Sequence, residues 1–544
     1  MARPPRNNTA PSNPWPFNQK FLEHLACAIG LAFGSAYAFA APVFERISAS
    51  DSGLITHAVK FGNGNGLAAA DFDSDGDIDL FLPGDIGTEH HLFENDGSGL
   101  FSDTARVRGI LDRSGGRTAL WFDADGDARL DLLVADDCFR QNDCSDTMLR
   151  LYRQTESGTF IDATASAGLS EPAPRADQHR AGLAAADLNG DGFVDFVSGF
   201  WLGRFHLFMN QGDGAFKEYT LASGIDSTER GYWQPILQDF NGDGLIDIYV
   251  TVDFDSNVMW LNQGTGPDGI PLFVDASAES NSDNNMNDMG VAAGDFDDDG
   301  DADIYASNIF FPGDRHNVLF RNESIDGDPW FTEISRPTGT ENGAWGWGVT
   351  FLDVANDGKL DIAATNGWRM PGWENPIRLF IRQDGGGELF LDMAEAAGLK
   401  DTYWGSTLLA ADIDRDGRLD LVQSLPLGDR NRNDPGAIAW YRNRTNGSPA
   451  YMVIKPRMKG PNHWAIGAKV TVKTASSSMT RWITAGTSFF GQEPAEAFFG
   501  LGSHDSVESI TIDWPGGGQS KTGPMSAGTV IQIDAEGPFR IETD

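Results

Sequence analysis

The chain has 544 residues, a formal net charge of −39, 64 glycines and 11% aromatic residues. That charge excludes a nucleic-acid binder, which needs a basic face, and an anionic membrane surface would repel it. The aromatic content excludes an acidic disordered chain, and with so much glycine it points to many short strands joined by tight turns.

Residues 1–20 are polar and carry Arg3, Arg6 and Lys20. An apolar run from Leu25 to Ala41 follows and ends in small residues, Ala36-Tyr37-Ala38 and Ala38-Phe39-Ala40. This order matches a cleaved secretory signal, so a secreted, periplasmic or cell-surface protein is expected; an uncleaved anchor helix is the alternative. Nearly all of the apolar run follows Cys27 rather than preceding it, which speaks against lipid attachment there.

Beyond the leader, a nine-residue pattern recurs: aspartate, then Asp or Asn at positions 3 and 5, glycine at 6 and aspartate at 9. The first copy is Asp71-Phe72-Asp73-Ser74-Asp75-Gly76-Asp77-Ile78-Asp79. The second has Asp123, Asp125, Asp127 and Asp131, with Ala128 in place of the glycine. The third has Asp187, Asn189, Asp191 and Asp195; the fourth has Asp239, Asn241, Asp243 and Asp247. The fifth has Asp295, Asp297, Asp299, Asp301 and Asp303. The sixth has Asp353, Asp357 and Asp361, with Ala355 where the second ligand belongs. The seventh has Asp412, Asp414, Asp416 and Asp420.

Oxygens at positions 1, 3 and 5 converge when such a loop coils around a cation. A main-chain carbonyl at 7 and a carboxylate at 9 complete an all-oxygen shell that suits Ca²⁺ better than Mg²⁺. Asp77 and Asp301 add a carboxylate at position 7. Up to seven Ca²⁺ are expected, and they would bring the formal charge from −39 to −25. Without metal the clusters repel, so folding should be coupled to calcium. The loops at Asp123 and Asp353 are expected to bind most weakly. An EF-hand needs a bidentate Glu at position 12, and none of Leu82, Val134, Ser198, Val250, Ala306, Ala364 and Gln423 can serve. The flanks, such as Leu67-Ala68-Ala69-Ala70 and Leu80-Phe81-Leu82, are strand-like.

The loops start at Asp71, Asp123, Asp187, Asp239, Asp295, Asp353 and Asp412, a repeat of 52 to 64 residues. After each loop comes a Gly-rich hairpin and a fourth strand, as in Leu92-Phe93-Glu94-Asn95, Gly97-Ser98-Gly99, Phe101-Ser102-Asp103 and Gly109-Ile110. Four strands per repeat make a propeller blade. The seventh repeat lacks its fourth strand, and a matching piece, Phe44-Glu45 to Gly53-Leu54, precedes the first. The fold class expected is therefore all-β: a seven-bladed β-propeller closed by its N-terminal strand, with a small β-rich C-terminal domain. The divisions fall at 1–40, 41–447 and 448–544.

These repeats resemble the FG-GAP/VCBS family of calcium-binding seven-bladed propellers. In the remainder, Asn462-His463-Trp464, Gly467-Ala468-Lys469-Val470, Gly486-Thr487-Ser488-Phe489, Gln492, Phe499-Gly500-Leu501-Gly502 and Ile512-Asp513-Trp514-Pro515-Gly516 resemble the ASPIC/UnbV domain. The pair of domains is the layout of the cartilage acidic protein family. The resemblance implies an exported, calcium-dependent protein and no particular reaction.

Cys138 and Cys144 are read as a disulfide closing a small loop in an oxidising compartment, with two unpaired thiols or part of a metal site as alternatives. Long loops and aromatic residues gather on the face opposite the acidic loops. Arg117, His179, Arg180, Trp233, Trp345, Trp347 and Trp404 form the candidate ligand set, ringing the channel where the innermost strands begin. Wedging of these indoles between blades is the competing role. The partner expected is a carbohydrate or an extracellular protein, with no nucleic acid, no membrane span after signal cleavage, and a monomeric chain. A binding or adhesion module is the leading reading. A calcium-dependent polysaccharide lyase or hydrolase is the alternative, and a calcium-stiffened spacer is the third. No H-E-x-x-H, G-x-S-x-G or P-loop is present.

Overall fold

The computed structural model describes residues 42–56, 64–136, 149–170, 179–226, 228–325, 327–368, 375–384, 388–426, 436–447, 450–537 and 539–542. The leader and both cysteines of the expected disulfide lie outside these residues. Among those described, helix is confined to two four-residue turns, Ala49–Ser52 and Ser335–Thr338. No helix there is long and apolar enough to cross a membrane.

Each repeat forms a four-stranded antiparallel sheet. In the first blade the order is Leu67–Ala70, Asp79–Leu82, His91–Asn95 and Phe101–Asp103. Every acidic loop joins a blade's innermost strand to its second. The innermost strands are short and small where they converge, as in Leu67-Ala68-Ala69-Ala70 and Leu408-Leu409-Ala410-Ala411, all of them buried. Large side chains there would keep neighbouring blades apart. The third and fourth blades merge into one sheet through pairing of Trp201 with Gly231.

The ring closes as the repeat pattern implies. The strand Phe44–Ile47 pairs antiparallel with Ile438–Asn443 and becomes the outermost strand of the seventh blade. A belt of contacts between outer strands continues across the join. Phe160 N donates to Arg108 O, Phe273 N to Ser223 O, and Phe44 N likewise to Ala397 O. The turn that follows the N-terminal strand carries Gly53 at φ +80°, where a Cβ would come within 2.1 Å of Phe101 O. Only glycine lets that turn approach the next blade so closely.

The C-terminal domain is a β-sandwich. One sheet pairs Tyr451–Arg457 in parallel with Thr529–Asp534 and carries Ala497–Gly500 and Arg540–Glu542 at its edges. The other runs Ser478–Trp482, Lys469–Lys473, Ser509–Asp513 and Gln519–Thr522. Alternation in Lys469-Val470-Thr471-Val472 and Ser509-Ile510-Thr511-Ile512 sends Val470, Val472, Ile510 and Ile512 into a shared core with Met452, Phe499 and Ile531.

This domain sits on the acidic-loop face and sends a segment into the propeller axis. The segment, residues 485–493, touches the innermost strand of every blade. Gly491–Gln492 pairs in parallel with Leu67–Ala68. The Gln492 side chain accepts from Trp121 N at 2.6 Å and donates to Trp121 O at 2.9 Å. Ala185 N donates to Ala485 O, Gln234 accepts from Phe490 N, and Val291 and Ser488 exchange main-chain bonds. Glu493 accepts from the Thr350 hydroxyl and from Ala410 N. Thr407 donates to Phe489 O at 2.6 Å.

Candidate metal centres and the opposite face

The nine-residue loops coil as their spacing requires. Glycine at position 6 takes positive φ, for example +102° at Gly76 and +95° at Gly300. Ala128 is forced to φ +70° at the same place. That region costs an L-residue with a Cβ roughly 1–2 kcal/mol, so the second loop is strained. Position 1 accepts a hydrogen bond from the main-chain N–H of position 6 in all seven loops, from Gly76 to Asp71 through Gly417 to Asp412. Position 9 is a keystone: Asp247 accepts from Phe240 N and Asn262 N, and Asp303 from Phe296 N and Asn322 N.

Four loops bring three carboxylates to one point. In the sets Asp71/Asp73/Asp79, Asp123/Asp125/Asp127, Asp295/Asp297/Asp299 and Asp412/Asp414/Asp416, ligand oxygens lie within 4.8 Å of one another. These clusters could hold a metal ion, and their chemistry fits one. Asp71, Asp73, Asp125, Asp295, Asp297, Asp412, Asp414 and Asp416 each leave a buried carboxylate oxygen without a hydrogen-bond partner. A buried, unmatched anion is costly, and a hard cation with oxygen ligands removes the cost. Burial is also the leading reason the carboxyls are raised: Asp71 and Asp123 to about 6, Asp295 and Asp412 to about 7, Asp79 to about 9. Asp131, Asp195, Asp247, Asp303, Asp361 and Asp420 are pushed well above the ordinary range by the same burial.

In the third and fourth loops, Asn189 and Asn241 stand at position 3, each bonded through its amide to the position-5 aspartate, Asp191 or Asp243. The sixth loop stands apart. Ala355 offers no oxygen at position 3; Asp353 accepts from Asp357 N and Gly358 N through its two oxygens, as Asp187 and Asp239 do from the matching N–H groups.

One set of residues escaped the sequence reading. An amide from the third strand of six blades reaches back to the position-2 carbonyl of the preceding blade's loop. The donors are Asn95, Gln154, Asn210, Asn262, Asn322 and Asn443, at 2.8–2.9 Å. In the sixth blade Arg382 takes that place and pairs with Asp298 at 3.2 Å. The aromatic-x-Asn that recurs before the hairpin in five of the seven blades, with Gln154 and Arg382 at the same place in the other two, was the available signal.

The candidate ligand set is brought together on the axis, but much of it is buried. Trp233, Trp347 and Trp404 are 2–4% exposed and pack with Ala181 and Met289 against Phe489 and Phe490 of the inserted segment. Arg117, 1% exposed, donates to Arg180 O and lies over the Phe490 ring. Arg180 stacks over Phe200. An open channel lined by these groups, free to grip an acidic sugar through Arg117, is therefore corrected: the C-terminal segment fills the axis. What remains accessible lies above it. Trp345 and Trp368 are half-buried and stack at 5.4 Å, and Trp368 stacks on Trp347 at 5.3 Å. Half-buried Trp201 stacks on Trp233 at 5.4 Å, with His179 beside it at 6.0 Å.

Comparison with known proteins places these features. Residues 458–538 match the ASPIC and UnbV family, and residues 71–134, 187–250 and 239–306 match the FG-GAP-like repeat. Cartilage acidic protein 1 of Xenopus tropicalis is 24% identical over 473 residues, 84% of this chain and 62% of the relative; the chain thus spans less than two thirds of that relative's length. The Mus musculus protein of the same name is 24% identical over 83% of this chain and 70% of its own. Among solved structures, the BP39L lectin from Burkholderia pseudomallei aligns with a TM-score of 0.44 at 11% identity, covering 71% of this chain and 99% of that one. BBS1N in its complex with ARL6DN aligns at 0.41 and 9%, covering 74% and 97%. The chain joins FG-GAP repeats to a C-terminal ASPIC and UnbV domain and is a homologue of cartilage acidic protein 1.

Proposed function

We propose that this protein is an exported, calcium-loaded propeller that binds an extracellular carbohydrate or protein on the face opposite its C-terminal domain. The observation that carries this reading is the pair of aromatic ladders at that face. The lower rings, Trp347 and Trp233, are locked in the core, and the upper rings, Trp345, Trp368 and Trp201, are half-buried above them. Rings held from below lose little freedom when a sugar face or an apolar side chain stacks on them. The acidic-loop face has the opposite role: calcium neutralises buried carboxylates so that the seven blades and the C-terminal domain stay assembled. The leader supports export.

The test is an array of glycans and matrix proteins probed with the calcium-loaded chain and with Trp368→Ala. Wild type should bind a ligand that the variant loses at least tenfold, with the calcium-dependent melting transition retained. Equal binding by both would overturn the assignment of the face.

A further inference from the structure

We infer that the sixth acidic loop is not a metal site: Arg481 of the C-terminal domain supplies its positive charge, and the loop serves as the seat on which that domain docks. The inference rests on the other loops taking calcium, and it concerns the one loop whose residues do not fit an ion.

The ligand set is short. Position 3 is Ala355, so this is the one loop of the seven without a side-chain oxygen there; among the described residues it forms no cluster of three metal-ligating groups, as is also true of the third and fourth loops. Asp353 is 1% exposed, with Asp357 N at 2.9 Å from Oδ1 and Gly358 N at 2.7 Å from Oδ2. Asp353 keeps no oxygen buried and unmatched, unlike the position-1 aspartates of the first, fifth and seventh loops but like those of the second, third and fourth; the buried oxygen without a hydrogen-bond partner in this loop is the amide Oδ1 of Asn356.

The space beside the loop is already taken. Gly500 lies so close that a Cβ on it would stand 2.0 Å from Asp353 Oδ2 and 2.4 Å from Asn356 Cα. Gly502 N donates to Asn356 O at 2.7 Å. Main chain of Phe499-Gly500-Leu501-Gly502 therefore covers the loop where solvent or an ion's outer ligands would otherwise sit. Asn356 closes the other side, donating to Gly417 O at 2.7 Å.

The charge is supplied from the same direction. Arg481, on the strand Ser478–Trp482, is half-buried, with its guanidinium over the Phe499 ring 5.4 Å from the centroid. It lines one cavity of about 120 Å³ with Asp353. The anions it faces are Asp353 first, then Asp295 and Asp298. Its Nη1 donates to Thr480 O, and its Nη2 is buried with no hydrogen-bond partner, so the cation acts on those carboxylates through space rather than through a direct ion pair. A guanidinium stays charged on burial, which a lysine does less reliably.

The experiment counts calcium per chain by equilibrium dialysis of the full-length protein, with melting in saturating calcium as a second readout. Asp297→Asn, in the fifth loop, should lose one ion per chain, whereas Asp357→Asn should lose none. Loss of one ion from Asp357→Asn would overturn the inference. Arg481→Met should lower the melting midpoint by several degrees, because the cation that offsets Asp353 is removed and a buried carboxylate is left uncompensated, and Asp353→Asn added to it should recover part of that loss. If Arg481→Met fails to fold, Arg481→Lys takes its place with a smaller expected drop. A midpoint unmoved by either Arg481 variant would also overturn the inference. Wild type that binds no calcium at all would defeat the calcium reading of the other loops and leave the Arg481 pairing to be judged by melting.

Discussion

At one end of the propeller axis, acidic loops meet the C-terminal domain through charge: Lys469 Nζ reaches Gly300 O at 2.6 Å, Lys455 stands 4.0 Å from Asp71, and Arg415 of the seventh loop pairs with Glu496 of the domain at 2.9 Å. At the other end there are stacked indoles and long loops. The acidic end is fastened by charge and by main-chain bonds from a segment far along the chain; the aromatic end is fastened by ring packing. The difference assigns work to each. The fastened end tolerates little change without loss of stability, and the aromatic end has surface to spare for recognition.

The largest effect that would sharpen this contrast comes from removing calcium. Each occupied site adds ~2.7 kcal/mol at a hundredfold excess of ligand over Kd, so chelation across several sites should lower the melting midpoint by tens of degrees. The metal-free protein should also respond to pH in a particular direction. Asp71 and Asp123 titrate at about 6, and Asp295 and Asp412 at about 7, above the usual carboxyl range. Groups raised in this way favour the fold while protonated. Their contribution is full below about pH 4 and is lost as pH rises through about 6–7. Chelated protein should therefore melt lower at pH 8 than at pH 5, and calcium should erase that trend. A chelated midpoint that rises over this interval would break the account of the acidic end.

A second, smaller effect tests how the two ends are joined. Phe489 and Phe490 are fully buried where the inserted segment meets the indoles, their ring centroids 3.9 Å apart. Phe490→Ala should cost about 3–5 kcal/mol and expose the C-terminal domain to limited proteolysis. Unchanged melting and cleavage would show that the segment is not what couples the domains. The smallest effect is a gain. Ala128→Gly relieves a left-handed alanine in the second loop and should stabilise the protein by ~1 kcal/mol, read as an upward shift in the midpoint. No shift, or a drop, would mean that the loop carries no such strain.

Much of the propeller was legible from its repeats. Ligand positions 1, 3, 5 and 9 lie within nine residues, and a turn that coils that tightly is governed by local sterics and hydrogen bonding. The four-strand unit follows from the hairpin glycines, and closure follows from Phe44 standing in for the missing Phe of the last repeat. The amide clasps were half visible: Asn95, Asn210 and Asn443 stand at one repeat position, but their acceptors belong to the neighbouring blade.

Only the tertiary structure decided what becomes of the axis. The Gln492 side chain bonds Trp121 across 371 positions of chain, and Gly500 meets Asp353 across nearly 150. No local spacing encodes such encounters. They depend on the small innermost residues leaving room, on the sandwich presenting its loops at the right height, and on buried charges finding partners. The sequence by itself determined the seven loops, the blades and the closing strand, because each is made by residues near one another or by one position repeated seven times. That Arg117, Trp233, Trp347 and Trp404 became core, and that the sixth loop became a docking seat, was settled by packing between segments hundreds of residues apart.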